Sequence, residues 1–334
     1  MKARNSKFAN SQNTNIQVKF AKLIMKRFGN FPISPDIYVG ELEEVFNHSI
    51  FVNGTHHKRK EIMLHSSQSS YESEKAYSLC NYFGKDLTPY LENKNVLDLG
   101  CFNGGRGIAW FEKFNMASIT GIDVKHEYID AAMQFAGLKN INAKYLLAKG
   151  EELPFADKTF DAIVAFNVME HLQNVEKTLI QCDRVLGSNG VLCVVFPGYY
   201  HPTGHHLDLV TKIPFIHYLF KGEILMQAYY EILQERGEEA HWYYRHSSEL
   251  KSWEKCNTIN GTTVAKFQKI IKTQNWQIVL KTCKPIGNVG RNISQNEIIN
   301  LASILLYPLA SMPILQELFL HRITYILRKH TDEK

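Results

Sequence analysis

At residues 95–107 an apolar run gives way to glycine: Asn95-Val96-Leu97-Asp98-Leu99-Gly100-Cys101-Phe102-Asn103-Gly104-Gly105-Arg106-Gly107. Val96 to Leu99 has the short apolar character of a buried parallel strand. A strand that enters a glycine-rich turn and then a helix brings its backbone close to a ligand. A second apolar run, Ile119-Thr120-Gly121-Ile122, ends in Asp123. A carboxylate at the tip of the second strand is well placed to hold the two hydroxyls of a ribose.

The turn is not the dinucleotide fingerprint, because it contains no G-x-G-x-x-G. Asp98 also precedes the glycines, where it would repel a pyrophosphate. An acid there suits a ligand with a positive end, such as an amino-acid ammonium. A nucleoside joined to an amino acid points to S-adenosylmethionine.

Further motifs follow in order. Gly150-Glu151-Glu152-Leu153-Pro154-Phe155 is succeeded by Phe160-Asp161-Ala162-Ile163-Val164 and Val168-Met169-Glu170-His171-Leu172. Arg184-Val185-Leu186-Gly187-Ser188-Asn189-Gly190-Val191-Leu192 closes the series. With these motifs, residues 95–197 resemble the class I S-adenosylmethionine-dependent methyltransferases. The resemblance is to the broad small-molecule group that includes quinone-type methyltransferases. It implies that S-adenosyl-L-methionine is held by Asp98, Gly100, Cys101, Phe102, Asn103 and Gly104 in the first loop. Asp123 and Val124 would sit at the ribose, Gly150, Glu151 and Glu152 on the adenine side, and Asn167 beside the methionine moiety. Two positions depart from the family pattern. Phe102 replaces the middle glycine of the first loop, so a conformation open to a residue with a Cβ is expected there. Lys149 stands where an acid is usual, and it cannot accept a bond from the adenine amino group.

The core alternates strand and helix. Strands are expected at 95–99, 119–123, 143–147, 161–166 and 190–196. Helices are expected near 105–114, 126–137 and 174–186, and 71–93 also looks helical. After Pro197 the alternation stops, with helical stretches near 222–235 and 247–256. A helix at 262–274 and strands at 277–284 and 322–328 fit the ending that the resemblance implies. The expected class is α/β: a Rossmann-like, mostly parallel sheet with helices on both faces, an antiparallel last strand and helical cap insertions. Residues 1–93 form an N-terminal extension with helices, and 94–197 the S-adenosylmethionine-binding core. Residues 198–261 form a substrate cap insertion. Residues 262–334 finish the core sheet around a helical insertion at 286–320. Insertions near the carboxyl edge of such a sheet lie where ligands bind.

The net charge of +5 is too mild to indicate a nucleic-acid binder. Nucleic acid is also disfavoured by Phe166-Asn167-Val168-Met169, since DNA amino-methylating enzymes resemble one another in a Pro-Pro-aromatic string at that place. Cys80, Cys101, Cys182, Cys193, Cys256 and Cys283 form no C-x-x-C pair. They read as reduced thiols of a cytoplasmic protein. The first thirty residues are basic and contain no acid. A disordered tail, an amphipathic membrane-surface helix around residues 18–28 and a transit peptide all remain open, so peripheral membrane contact does too. Residues 298–315 are apolar, but Asn300, Pro308 and Pro313 interrupt them, which favours a buried or surface-seated helix pair over a span.

Methyl transfer needs positioning and exclusion of water, and an oxygen acceptor needs a base. His205 and His206 follow the fifth strand, with Asp208 near enough in sequence to orient either ring; His171 is a further candidate base. Tyr199, Tyr200, His201, Trp242 and Tyr243 are candidates to line an acceptor pocket. No metal site is expected, because Pro202 and Gly204 break the helix that a His201 and His205 pair would need. The acceptor is expected to be a small or lipid-linked molecule, methylated on oxygen. C-methylation of a quinone or prenyl-type substrate at the membrane surface and a non-catalytic binding protein are the alternatives. Oligomeric state is not readable.

Overall fold

The computed structural model describes residues 15–27, 56–76, 78–202, 205, 207, 210–211, 213–235, 252–255, 260–282, 305–313 and 315–329. The chain divides into two compact units, one of residues 1–59 and 202–258, the other of residues 60–201 and 259–334.

Helices in chain order are α1 (15–27), α2 (His56–Ala76), α3 (Leu79–Phe83), α4 (Thr88–Leu91), α5 (Gly105–Phe114), α6 (His126–Leu138) and α7 (Val175–Val185). They continue with α8 (Ile216–Leu219), α9 (Gly222–Glu235), α10 (Val264–Thr273), α11 (305–311) and α12 (Gln316–Phe319). Strands are β1 (Asn95–Leu99), β2 (Ser118–Asp123), β3 (Lys144–Leu147), β4 (Phe160–Phe166), β5 (Leu186–Phe196), β6 (Gln277–Thr282) and β7 (Ile323–Arg328).

The larger unit is built on a seven-stranded sheet of order β3-β2-β1-β4-β5-β7-β6. The first five strands run parallel, and β7 runs antiparallel to both of its neighbours, as expected. The central strands are buried on both faces, which is why they read as continuous apolar runs. Leu97, Leu99, Ile163 and Ala165 face one way, into a core completed by Val175, Leu179 and Cys182 of α7 and by Val264, Phe267 and Ile271 of α10. Val96, Ala162, Val164 and Phe166 face the other way, with Leu79, Phe83, Trp110 and Phe114. The chain leaves β1 toward β2 on one side and reaches β4 on the other. That reversal opens a crevice at the carboxyl ends of β1 and β4.

Residues 71–93 form three pieces rather than one run of helix. α2 stops at Ala76, and Ser78 caps α3 by accepting from Cys80 N at 3.3 Å. Gly84, at φ 61°, ends α3, and Pro89 sits in the first turn of α4. The fifth strand starts at Leu186, four residues before the expected point. The Gly187–Gly190 segment adds a register shift against β4 between Phe160 and Ala162.

α2 has no apolar period to betray it. It turns serines inward, and the hydroxyls of Ser66 and Ser67 meet backbone and polar partners. Ser67 Oγ donates to Met63 O at 3.0 Å and to Asn103 O at 2.9 Å, while Asn103 Nδ2 donates to Ser66 Oγ at 2.8 Å. A Cβ placed on Gly105 would lie 2.0 Å from the Ser67 carbonyl oxygen, so helix backbone abuts helix start. Gly105→Ala should therefore destabilise the chain by about 1–3 kcal/mol, the ordinary effect of overpacking a fixed backbone contact. Urea unfolding checks this, and an unchanged midpoint would mean that α2 yields freely.

The smaller unit holds α1, α8, α9 and a 3-10 turn at Trp253–Lys255. Lys22 of α1 pairs with Glu231 at 2.7 Å and with Glu235 at 2.5 Å, both on α9. Trp253 Nε1 donates to His205 O at 2.8 Å. The expected helical stretch at 247–256 is described only at 252–255, where it is this 3-10 turn.

Candidate functional site

Three of five consecutive loop residues are left-handed: Gly100 at φ 74°, Phe102 at 50° and Gly104 at 75°. The first and third are glycine, the residue that adopts this region without strain. Phe102 is not, and its conformation costs about 1–3 kcal/mol. A tyrosine and a carboxylate hold it there. Its ring meets Tyr128 edge-on at 4.4 Å, and its N–H donates to Asp123 Oδ2 at 3.1 Å. The loop is also tied to β2 by two backbone bonds, since Gly100 N and Cys101 N each donate to Ile122 O at 2.9 Å. Gly100 has no room for a side chain, because a Cβ would sit 2.4 Å from Val168 Cγ2.

Asp123 receives a second bond, from Lys125 N to Oδ1 at 3.2 Å. Burial nonetheless holds its pKa above the usual carboxylate value, against the pull of those backbone donors. Asp98 is 3% exposed and is pushed up to about 8, first by burial and then by the neighbouring Asp123 charge; Arg106 opposes the shift. Glu74 of α2 is pushed to about 7 by burial, with its backbone bond from Leu79 N and the Arg106 charge opposing. The Arg106 guanidinium lies 4.5 Å from the Phe166 ring centroid. Asp98 and Glu74 thus share one guanidinium, while Asp123 has Lys125 as its nearby cation. Among the described residues no ion pair reaches Asp98 or Asp123.

The crevice's other wall begins where β4 ends. Asn167 is left-handed at φ 52°, and its N–H donates to Val195 O at 2.7 Å. Its Oδ1 is buried without a hydrogen-bond partner among the described residues. An unmatched buried acceptor beside unpaired acids fits a ligand that brings a donor and a positive charge. S-adenosylmethionine, with its sulfonium and ammonium, has those properties. Glu170 follows, buried and pushed up to about 8 by desolvation, with Arg322 acting against the shift. His171 Nε2 lies 3.9 Å from Glu170 Oε1, and its side chain is 30% exposed.

Asn260 is a residue that sequence reading missed. Its Nδ2 donates to Met169 O at 2.6 Å and to Leu172 O at 2.8 Å, and its N–H donates to Glu170 O at 2.8 Å. One side chain thereby holds the turn that carries Glu170 and His171. No spacing in the sequence ties Asn260 to that turn.

The loop expected on the adenine side packs against α7. Glu151 Oε1 accepts from Asn174 N at 3.0 Å, at the start of α7. Glu152 is exposed and pairs with Lys177 at 3.1 Å. Gly150 packs under Thr178 and Leu172. Val124 and Lys149 are exposed, and Cys101 is buried, with its thiol pushed well up by that burial.

After β5, Tyr199 and Tyr200 meet edge-on at 5.2 Å, and buried His201 meets His321 at 6.1 Å. Glu317 anchors this stretch. Its Oε1 accepts from Tyr200 N and its Oε2 from Val264 N, both at 3.1 Å. It too went unread, because α12 belongs to an insertion without a motif. His205 belongs to the smaller unit, where it is buried and its Nδ1 accepts from Leu207 N at 3.0 Å. Burial pushes its pKa down to about 4. With Nδ1 accepting, a neutral ring carries its proton on Nε2. His206, Asp208, Trp242 and Tyr243 lie outside the described residues.

A family model described as a methyltransferase domain matches residues 97–194. A ubiquinone biosynthesis O-methyltransferase of Rhizobium leguminosarum bv. trifolii is 31% identical over 118 residues, which are 34% of this chain and 46% of that protein. Ajmaline N-methyltransferase of Rauvolfia serpentina is 27% identical over 109 residues, 32% of this chain and 37% of that protein. The chain thus spans less than half the length of these curated relatives. Among solved structures, geranyl diphosphate C-methyltransferase of Streptomyces coelicolor aligns at a TM-score of 0.47 and 12% identity, over 81% of this chain and 80% of that one.

Asp98, Glu74 and Glu170 give the ligand-free chain a definite pH response. Each is raised by burial, so the folded state holds protons that the unfolded state has released. Their contribution to stability is complete below the ordinary carboxylate range and is lost as pH rises through about 7 and 8. Each bound proton adds at most about 1.4 kcal/mol per pH unit to the slope. Asp98→Asn should remove one such increment between the ordinary carboxylate range and about pH 8, as read by urea unfolding across that range. The same slope in the variant would mean that Asp98 is already ionised.

Proposed function

We propose that this chain, which carries a methyltransferase domain over residues 97–194, methylates an oxygen of a small or lipid-linked acceptor. The observation that carries the reading is the acidic crevice, with Asp98 buried between the Asp123 and Arg106 charges and the Asn167 acceptor left unmatched among the described residues. S-adenosylmethionine, when bound, supplies a methyl group already activated on a sulfonium. Asp123 would accept from the ribose hydroxyls, and Asp98 and the Asn167 amide oxygen would face the positive methionine end. The left-handed loop would present backbone to the ligand, since side chains there would occupy its place.

Oxygen is preferred as the acceptor atom because the Rhizobium relative is named an O-methyltransferase. An oxygen acceptor must lose a proton, and His171 is the base we favour. It is a partly exposed imidazole in the unit that carries the donor residues, at the start of the segment that follows β4. Its turn is pinned by Asn260, which fixes the ring's origin. Tyr199 and Tyr200 would offer an aromatic wall to the acceptor.

Calorimetry tests the donor site first. Binding of S-adenosylmethionine near neutral pH should release a proton, because a cation beside Asp98 lowers its pKa. Comparison of buffers with different ionisation enthalpies reads that proton, and Asp98→Asn should abolish it. Asp123→Ala should weaken binding by about 1–3 kcal/mol. A wild-type chain that fails to bind would end the enzymatic reading.

Turnover tests the base. Formation of S-adenosylhomocysteine with cell extract, followed by mass-labelling of the product, identifies the acceptor. His171→Ala should then lower turnover by about 10²–10⁴ and leave donor affinity unchanged. Full turnover in His171→Ala would move the assignment to an amine acceptor, which needs no base.

A further inference from the structure

Helix α1 is apolar on two sides. Val18, Ala21 and Met25 are buried, while Ile16, Phe20 and Leu23 remain 65%, 56% and 58% exposed. At 3.6 residues per turn the exposed three fall within about 60° of one another, opposite the buried three. The helix is held against rotation that would hide them, because Lys22 and Lys26 grip Glu231 and Glu235 of α9. The apolar surface continues through Phe220, whose ring meets Phe20 at 6.2 Å. Next to it, Tyr218 and Leu219 are 47% and 62% exposed.

Charge identifies what covers this patch. Lys19 and Arg27 are exposed on the same helix, Arg27 in line with Phe20 and Leu23 and Lys19 to one side. The chain's first thirty residues hold seven lysines and arginines and no acid. A second copy would set these cations against their own kind. A bilayer with anionic headgroups complements both properties at once, because it offers phosphates to the cations and an acyl boundary to the apolar side chains. Among the described residues no helix is long and apolar enough to cross a membrane, so the contact is interfacial.

We propose that Ile16, Phe20, Leu23, Tyr218 and Leu219 seat the smaller unit on an anionic lipid surface, with Lys19 and Arg27 at the level of the phosphates. The inference stands apart from the methyl-transfer reading and is tested without any measure of activity.

Flotation of the full chain with phosphatidylcholine vesicles, with and without phosphatidylserine, is the experiment. Binding should require phosphatidylserine and should weaken as salt screens the charges. Phe20→Asp with Leu23→Asp should lower the partition coefficient about tenfold or more, since two exposed apolar anchors are lost. Leu219→Asp, on a separate helix, should lower it by a smaller factor. Lys19→Glu with Arg27→Glu should remove most of the phosphatidylserine dependence. All these side chains are exposed, and circular dichroism checks that the variants fold; should the α1 pair fail to, Leu219→Asp carries the test. Undiminished binding by the folded variants overturns the proposal, as does a wild-type chain that ignores anionic vesicles at low salt. A wild-type dimer that Phe20→Asp with Leu23→Asp dissolves without changing vesicle binding would also overturn it, since the patch would then face a second copy.

Discussion

The carbonyl of Ile122 and the carboxylate of Asp123 do more to define the site than any other pair of groups. The carbonyl accepts from both Gly100 and Cys101, and the carboxylate accepts from Phe102. Three consecutive N–H groups of the first loop are therefore bound to the tip of the second strand. Register supports this, since Leu99 pairs with Ile122 at the end of the β1–β2 ladder. The loop has no freedom to continue as strand, because its donors are already committed. The backbone turns, the left-handed residues follow, and Gly104 caps α5.

Asp123 has two tasks under this arrangement. Each of its oxygens already accepts one backbone bond, and each retains acceptor capacity for a ligand. The same carboxylate that shapes the loop would hold the ribose. That coupling accounts for Phe102. A glycine would adopt φ 50° freely, but the bond from Phe102 N to Asp123 and the contact with Tyr128 hold a phenylalanine there. The conformation expected of a residue with a Cβ is thus met in its rarer, left-handed form.

Most of the sheet was legible because its signal is local. Strands buried on both faces are apolar along their length, as Ile163–Phe166 and Val191–Phe196 show, and in Val96–Leu99 Asp98 alone interrupts the run. The glycine loop and Asp123 were legible because glycine and acid positions report backbone demands directly. Residues that act over long sequence distance were not. Asn260 serves a turn about ninety residues earlier, and Glu317 serves Tyr200 from more than a hundred residues away. Ser66 and Ser67 support Asn103 from a helix that buries hydroxyls in place of leucines. Polar clamps of this kind leave no periodicity, since a single side chain does the work of an apolar face. A basic amphipathic helix around residues 18–28 was one of three readings that the charge left open, and only the structure divides its apolar residues into a buried and an exposed set.

The electrostatics of the crevice make sense only with a ligand in mind. A chain selected for stability alone would not bury Asp98 and Glu74 near Asp123, with Arg106 as the shared counter-charge. Burial, and for Asp98 the neighbouring Asp123 charge as well, raises their pKa values and keeps protons on the ligand-free chain. A cation entering the crevice replaces those protons, so ligand charge and carboxylate ionisation are linked. The linkage also discriminates. An anionic ligand would leave those protons in place and gain no charge pairing, while a neutral nucleoside would gain the ribose contact and nothing from Asp98. Under the proposed function, a ligand with both a ribose and a positive amino-acid end would satisfy Asp123, Asp98 and Asn167 together, and its binding would stabilise the fold with the logarithm of its concentration over its dissociation constant. Strain at Phe102 and protons held on Asp98 are two forms of the same condition, a site arranged in advance for a partner of opposite charge.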